Sequence, residues 1–260
     1  MHILPKLATS RLRKARNVLV NKAILHRAHL EYWTALTLGA ELDDLVSKLV
    51  PPKHLRSTWW GDLSRVELQT KHKWKRREGT TLCVGGEWDI HDVRPRISVF
   101  DSFDSEDDVW RSDYETIRIL FGEGGDYRQT PQFAVLTNKI LNGKKTPRGQ
   151  SLEDIAQYFH QLRSTFDSMK RDGFLTQAQL GKPKRDEIRL HVTRNGQLCY
   201  GGMGCHRIAM AEIIGIRWVP FLLESIHPAW VRHISRELGM PPHKAVVEWM
   251  ENDSRLRNTP

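Results

Sequence analysis

Residues 200–215 read YGGMGCHRIAMAEIIG: glycines, a thiol, an imidazole and a guanidinium crowd the start of one helical run. The first N–H groups of a helix have no intrahelical partners, and the helix dipole adds partial positive charge there. Glycine lets backbone approach an anion closely. Arginine offers paired donors to phosphate oxygens, and histidine adds another. Gly202, Gly204, His206 and Arg207 are therefore a candidate phosphate site. The spacing is neither GxGxxG nor GxxxxGK[ST], so the glycines alone do not name a ligand. Cys205 has two readings. A thiol at a helix N-terminus beside an arginine is expected to be partly thiolate and to act as a nucleophile. Equally, cysteine falls at this position by chance.

Phosphoryl transfer needs more than a cradle. It needs carboxylates for Mg²⁺ and a base for the acceptor hydroxyl. Glu87 and Asp89 in GGEWDI lie on the same side if that segment is extended, and so are a candidate metal pair. Asp186 and Glu187 precede a predicted strand, and Glu224 ends a later one. Glu187, Glu224 and Cys205 are the catalytic candidates. Each carboxylate taken singly also fits a capping or surface role. His227, just beyond Glu224, either lines the same mouth or is structural.

These residues need elements to hold them. Ile188, Leu190 and Val192 alternate with Arg189, His191 and Thr193, which predicts a half-buried strand. Asn195-Gly196 predicts a hairpin through a type I′ turn, with Leu198–Tyr200 returning. The helix then starts near Cys205 and stops at Gly215. IRWVPFLLESI predicts another strand, with Pro220 at an edge, a bulge or the strand's start. Two amphipathic helices follow. Upstream, residues 10–49 predict two helices, the first capped by Ser10 and the second stopped at Pro51-Pro52. Short strands are expected at Leu82–Val84 and in RISVF. The acidic DSFDSEDDVW leads into a helix that Gly124-Gly125 ends, and RQTPQF reads as irregular. Residues 142–150 have the composition of a linker. Ser151 caps a helix whose stripe is Ile155, Phe159, Leu162, Phe166 and Met169.

The chain has 260 residues with Lys+Arg 40 against Asp+Glu 31, a net charge of +9. That balance suits polyanionic partners, among them nucleic acid, nucleotides and phosphorylated sugars. The run KHKWKRRE at 71–78 fits nucleic-acid stacking or a solvated loop. Three cysteines argue against a disulfide framework and for a reducing, cytoplasmic setting. The lack of a CxxC spacing argues against a zinc site. No apolar run is long enough to predict a membrane span. The basic start lacks a signal peptide's apolar core and reads as a surface helix.

The segment EIRLHVTRNGQLCYGGMGCHRIAMAEIIGIRWVPFLL resembles the core of the ParB/sulfiredoxin superfamily. The shared features are an alternating strand, a hairpin, a Gly-x-His-Arg box opening an Ala-rich helix, and a strand with Val-Pro. The resemblance covers about residues 173–230, and it implies a nucleoside triphosphate at Gly204, His206 and Arg207. ParB proteins take CTP there; sulfiredoxins and free-serine kinases of this fold take ATP. GGEWDI and YETIRILFGEGGDYRQT are similar to ParB-like proteins often encoded beside glycan genes.

The expectation is therefore a mixed α/β protein with a small mixed sheet. It comprises a mostly helical region at 1–150 with short strands around 82–100, a nucleotide-binding module at 151–230 and a helical tail at 231–260. The implied ligand is ATP or CTP with Mg²⁺. The implied activity is phosphoryl transfer to a small or glycan-related acceptor. Two alternatives stand beside it. A nucleotide-gated DNA-associated protein of this kind would carry DNA-reading helices after the box, where the sequence predicts no helix-turn-helix. A Cys205-dependent sulfinic acid reductase would have paired glycines directly before the cysteine, where Met203 interrupts.

Overall fold

The computed structural model describes residues 6–50, 57–71, 82–102, 110–146 and 148–258. Pro51-Pro52, nearly all of the basic run at 71–78 and most of the acidic stretch at 101–110 lie outside the described residues.

The fold is mixed α/β, built on one seven-stranded sheet. Its strands are β1 (Trp59–Asp62), β2 (Leu68–Thr70), β3 (Val93–Pro95), β4 (Ile188–Val192), β5 (Leu198–Tyr200), β6 (Trp218–Ile226) and β7 (Leu256–Arg257). Their spatial order is β3-β2-β5-β4-β6-β1-β7. Strands from 1–150, from 151–230 and from the tail thus share one sheet. β4 pairs antiparallel with β5 and parallel with β6.

The helices fall into two packed groups. One comprises α1 (Lys6–Thr37), α2 (Leu42–Lys48), α8 (Pro228–Leu238) and α9 (Pro242–Asn252). The other comprises α4 (Arg111–Ile117), α5 (Pro131–Leu141), α6 (Leu152–Asp172) and α7 (Cys205–Ile214). The short α3 (Trp88–His91) precedes β3. Large side chains fill the core, with Trp59, Trp110, Tyr114, Tyr200 and Phe221 at 1% exposure or less. α8 and α9 contribute Val231, Ile234, Ala245, Val246 and Met250 to it, so the C-terminal helices belong to the fold rather than hanging from it. Among the described residues no helix is long and apolar enough to cross a membrane.

The predicted core of the chain, β4–β5–α7–β6, is present. The hairpin turn differs in type. Gly196 N–H donates to Thr193 O at 3.0 Å, and among the described residues positive φ occurs at Gly196 (+76°) and other glycines but at no non-glycine residue. Asn195 therefore does not adopt the type I′ conformation; a turn over Thr193–Gly196 leaves only the glycine left-handed. β6 is a central strand, so Glu224 lies within the sheet rather than at the end of an edge strand. Pro220 is accommodated because β4 starts alongside Phe221, leaving only β1 beside the proline.

Other expectations are corrected upstream. α1 already runs from Lys6, so Ser10 is inside the helix rather than capping it. RISVF holds no strand; β3 ends at Pro95, tolerated on an edge strand. Leu82–Val84 contributes only a bridge from Cys83 to Ile226. The irregular reading of RQTPQF hides the start of α5, where the Thr130 hydroxyl accepts from Phe133 N–H and Pro131 takes the first turn. GGEWDI is not extended either, since residues 88–91 form α3.

Candidate functional site at the start of α7

β5 delivers the chain into the glycine turn. Gly202 and Gly204 have φ of +134° and +82°, and Gly204 occupies the N-cap of α7. A Cβ on Gly204 would lie 2.8 Å from the Ile188 side chain and 3.2 Å from an Arg207 guanidinium nitrogen. Left-handed backbone and close packing together demand glycine there. The Tyr200 hydroxyl donates to Met203 O at 3.2 Å and pins the turn. Burial holds the Tyr200 pKa well above that of a free phenol, so it remains a donor.

The three residues after Gly204 point to two places. Arg207 turns toward the head of β4. Its guanidinium donates to Glu187 Oε1 at 2.8 Å and to Asp186 O at 2.8 Å, and stacks near Phe174. Glu187 is fully buried and also accepts from Gln177 N–H at 2.8 Å. With its oxygen turned to the guanidinium, the Gln177 carboxamide accepts from Arg207 at 2.6 Å. Arg207 and Lys182 line a pocket of about 190 Å³ with Ser164, Thr165 and Ser168.

Cys205 and His206 turn the other way, into the α4–α5–α6 group. Cys205 Sγ lies 2.8 Å from Asp113 Oδ2, and His206 Nε2 lies 3.3 Å from Asp113 Oδ1. Gln132 bridges the cluster: its Nε2 donates to Asp113 at 3.0 Å, and its Oε1 is 3.1 Å from His206 Nε2. The Tyr158 hydroxyl donates to the same Oε1 at 3.1 Å. Burial pushes the Tyr158 phenol well above its usual range, and Arg148 sits 4.8 Å over its ring. Tyr158 and Arg148 also line an outer pocket of about 510 Å³. Cys205 and His206 are each only 8% exposed.

Of the predicted carboxylates, Glu187 lies at the turn, paired with Arg207, while Glu87, Asp89 and Glu224 are paired elsewhere. Asp89 accepts from the Arg194 backbone N–H at 2.7 Å and from its guanidinium at 2.8 to 3.1 Å, using both oxygens. Glu87 is exposed and pairs with His91 at 3.1 Å. The two do not form a metal pair: α3 replaces the extended segment, and Arg194 claims Asp89. Glu224 pairs with Arg189 at 2.6 Å. His227 has a structural role, accepting from Ala229 N–H at 3.1 Å as the N-cap of α8.

The Asp89–Arg194 clasp ties α3 to the β4–β5 hairpin. Burial raises the Asp89 pKa, but the Arg194 hydrogen bonds outweigh it and hold the carboxyl below its ordinary value. A depressed folded pKa contributes stability that is present above about pH 4 and lost as pH falls through the folded value. Asp89→Asn should therefore lower the thermal midpoint at pH 7. Its deficit against wild type should shrink as pH falls below about 4, read by melting both proteins across that range.

Asp113, Gln132 and Tyr158 carry no motif. One signal for Asp113 exists: helical spacing places it on the face of Trp110, Thr116 and Ile117, all fully buried, and a carboxylate there requires partners. Comparison of the chain with family models, with curated proteins and with solved structures finds no significant match.

Proposed function

We propose that the chain binds a nucleoside triphosphate at the β5–α7 turn, on a ParB/sulfiredoxin-like plan, and transfers a phosphoryl group to a small or glycan-related acceptor. One observation carries the reading. Arg207, in the first turn of α7 after the left-handed Gly204, and Lys182 line a pocket together with the hydroxyl groups of Ser164, Thr165 and Ser168. The first turn of α7 holds no acidic residue of its own, so the dipole's positive end adds to the attraction for an anion. About 190 Å³ accommodates a phosphate group and leaves the nucleoside outside.

Arg207 reaches a phosphate by exchanging a neutral partner. The Gln177 oxygen accepts from the guanidinium where a phosphate oxygen would. His206 faces inward and is not part of this contact. Glu87 and Asp89 do not fit Mg²⁺ in their present pairing, so the metal accompanies the nucleotide in this proposal and no step is assigned to it. An anion that also draws Arg207 from Glu187 releases a buried carboxylate within the site, suited to accept the acceptor's proton.

The test is calorimetric titration of the full chain with ATP, CTP and GTP, each with Mg²⁺. Binding of at least one is expected, about 10-fold weaker in Lys182→Ala, a loss of roughly 1.4 kcal/mol. Gln177→Ala, which frees the guanidinium, should bind more tightly. Folded wild-type protein that binds no nucleotide and no tripolyphosphate would end this reading.

A further inference from the structure

We infer that Asp113, Cys205 and His206 form a binding site for one Zn²⁺ ion. Their donor atoms, Sγ, an imidazole nitrogen and a carboxylate oxygen, all lie within 4.8 Å of one another, and all three residues are buried. Thiolate, imidazole and carboxylate are the donor types zinc takes, and a thiolate selects against Mg²⁺ and Ca²⁺. The spacing also fits. Zinc bonds of about 2.0–2.1 Å to nitrogen and oxygen place those atoms about 3.3 Å apart at a tetrahedral corner. His206 Nε2 and Asp113 Oδ1 are 3.3 Å apart. The Sγ–Oδ2 distance of 2.8 Å is that of a thiol hydrogen bond, and a shared zinc ion would widen it to about 3.5 Å as the thiol proton leaves. Gln132 Oε1, 3.1 Å from His206 Nε2, is a fourth donor within reach.

The charge balances. Thiolate and carboxylate together neutralise Zn²⁺, which suits a buried position where unmatched charge is costly. Binding takes the thiol proton into solvent and moves the imidazole proton to Nδ1, freeing Nε2. Adjacent Cys205 and His206 come from the first turn of α7, while Asp113 comes from α4, about ninety residues earlier. A zinc site therefore exists without a CxxC, because the fold supplies the spacing that the sequence lacks. The proposed ion sits on the inner side of the turn, and the proposed nucleotide lies toward Arg207, so the two proposals stand or fall separately.

The test uses the full chain, stripped with a chelator and titrated with Zn²⁺ and with Co²⁺. One equivalent of each should bind, with about one proton released per ion near pH 7. The cobalt form should show tetrahedral visible bands and a sulfur-to-cobalt charge-transfer band in the near ultraviolet. Cys205→Ser should abolish that band, and Cys205→Ser and His206→Gln should each weaken binding about 100-fold or more. The wild-type cobalt spectrum decides the matter even if a variant misfolds. Folded wild type that binds neither ion at micromolar concentration, or binds cobalt without the sulfur band, overturns the inference.

Discussion

Arg207→Ala is expected to destabilise the protein by about 3–5 kcal/mol, measured by denaturant unfolding at pH 7. Glu187 is fully buried, and Arg207 is the cation that neutralises it at 2.8 Å. Removing the guanidinium leaves the carboxylate with backbone donors from Gln177 and Ile188 and only the longer-range charge of Lys184. Removing one member of a buried pair costs far more than the pair itself contributes, because the survivor stays desolvated. The double variant Arg207→Ala, Glu187→Gln should therefore recover part of the loss, giving a coupling of about 1–3 kcal/mol. A loss near zero in the single variant would show that Glu187 reaches water or another cation. The same reasoning decides the design of the nucleotide experiment. A variant that unfolds binds nothing, so Lys182 and Gln177 test the pocket where Arg207 cannot.

Gly201→Ala should cost about 3 kcal/mol and lower the thermal midpoint by roughly 6–12 °C. The reason is space alone, since φ at Gly201 is not in the left-handed region. An added Cβ would fall 1.9 Å from Nε2 and 2.1 Å from Cδ2 of His191. That ring is fully buried, held by Ser225 Oγ at 2.8 Å and flanked by Trp88 at 5.9 Å, so it cannot retreat cheaply. Truncating the ring in the same background tests the mechanism. Gly201→Ala with His191→Ala should be less damaging than the sum of the two single changes. Strict additivity would place the cost of the methyl elsewhere.

The strands and helix around the glycine turn are legible because each signal is local. Alternation marks β4, Asn195-Gly196 marks the hairpin, and Gly204 and Gly215 bracket α7. β1 is different. Its four residues are all buried, so no alternation marks it, and only its pairing with β6 and β7 makes it a strand. α5 is obscured because Thr-Pro reads as a break, though proline in the first turn of a helix is favoured. The candidate site divides in the same way. The Gly-x-His-Arg box is contiguous and visible. What its side chains touch is not, because Glu187, Gln132, Asp113 and Tyr158 arrive from four separate segments. Residue type alone sends His206 and Arg207 to the same phosphate, whereas neighbouring positions on a helix point in different directions. The metal pair at Glu87 and Asp89 fails for a related reason: nothing local in GGEWDI announces that Arg194, on a distant hairpin, takes Asp89.

The order of the sheet sets a timetable for making the protein. β1 and β2 are separated by only a short turn, yet β5, β4 and β6 lie between them in space. A ribosome delivers Trp59 and Trp60 more than a hundred residues before β6 exists to cover them. β2 can pair early with β3, but β1 has only late partners, β6 and β7. Two tryptophans that end at 0% and 6% exposure thus spend most of synthesis in water. Such non-local closure is slow, and the exposed intermediate is prone to aggregate. Yield should respond to chaperone supply and to the rate of translation across residues 188–226.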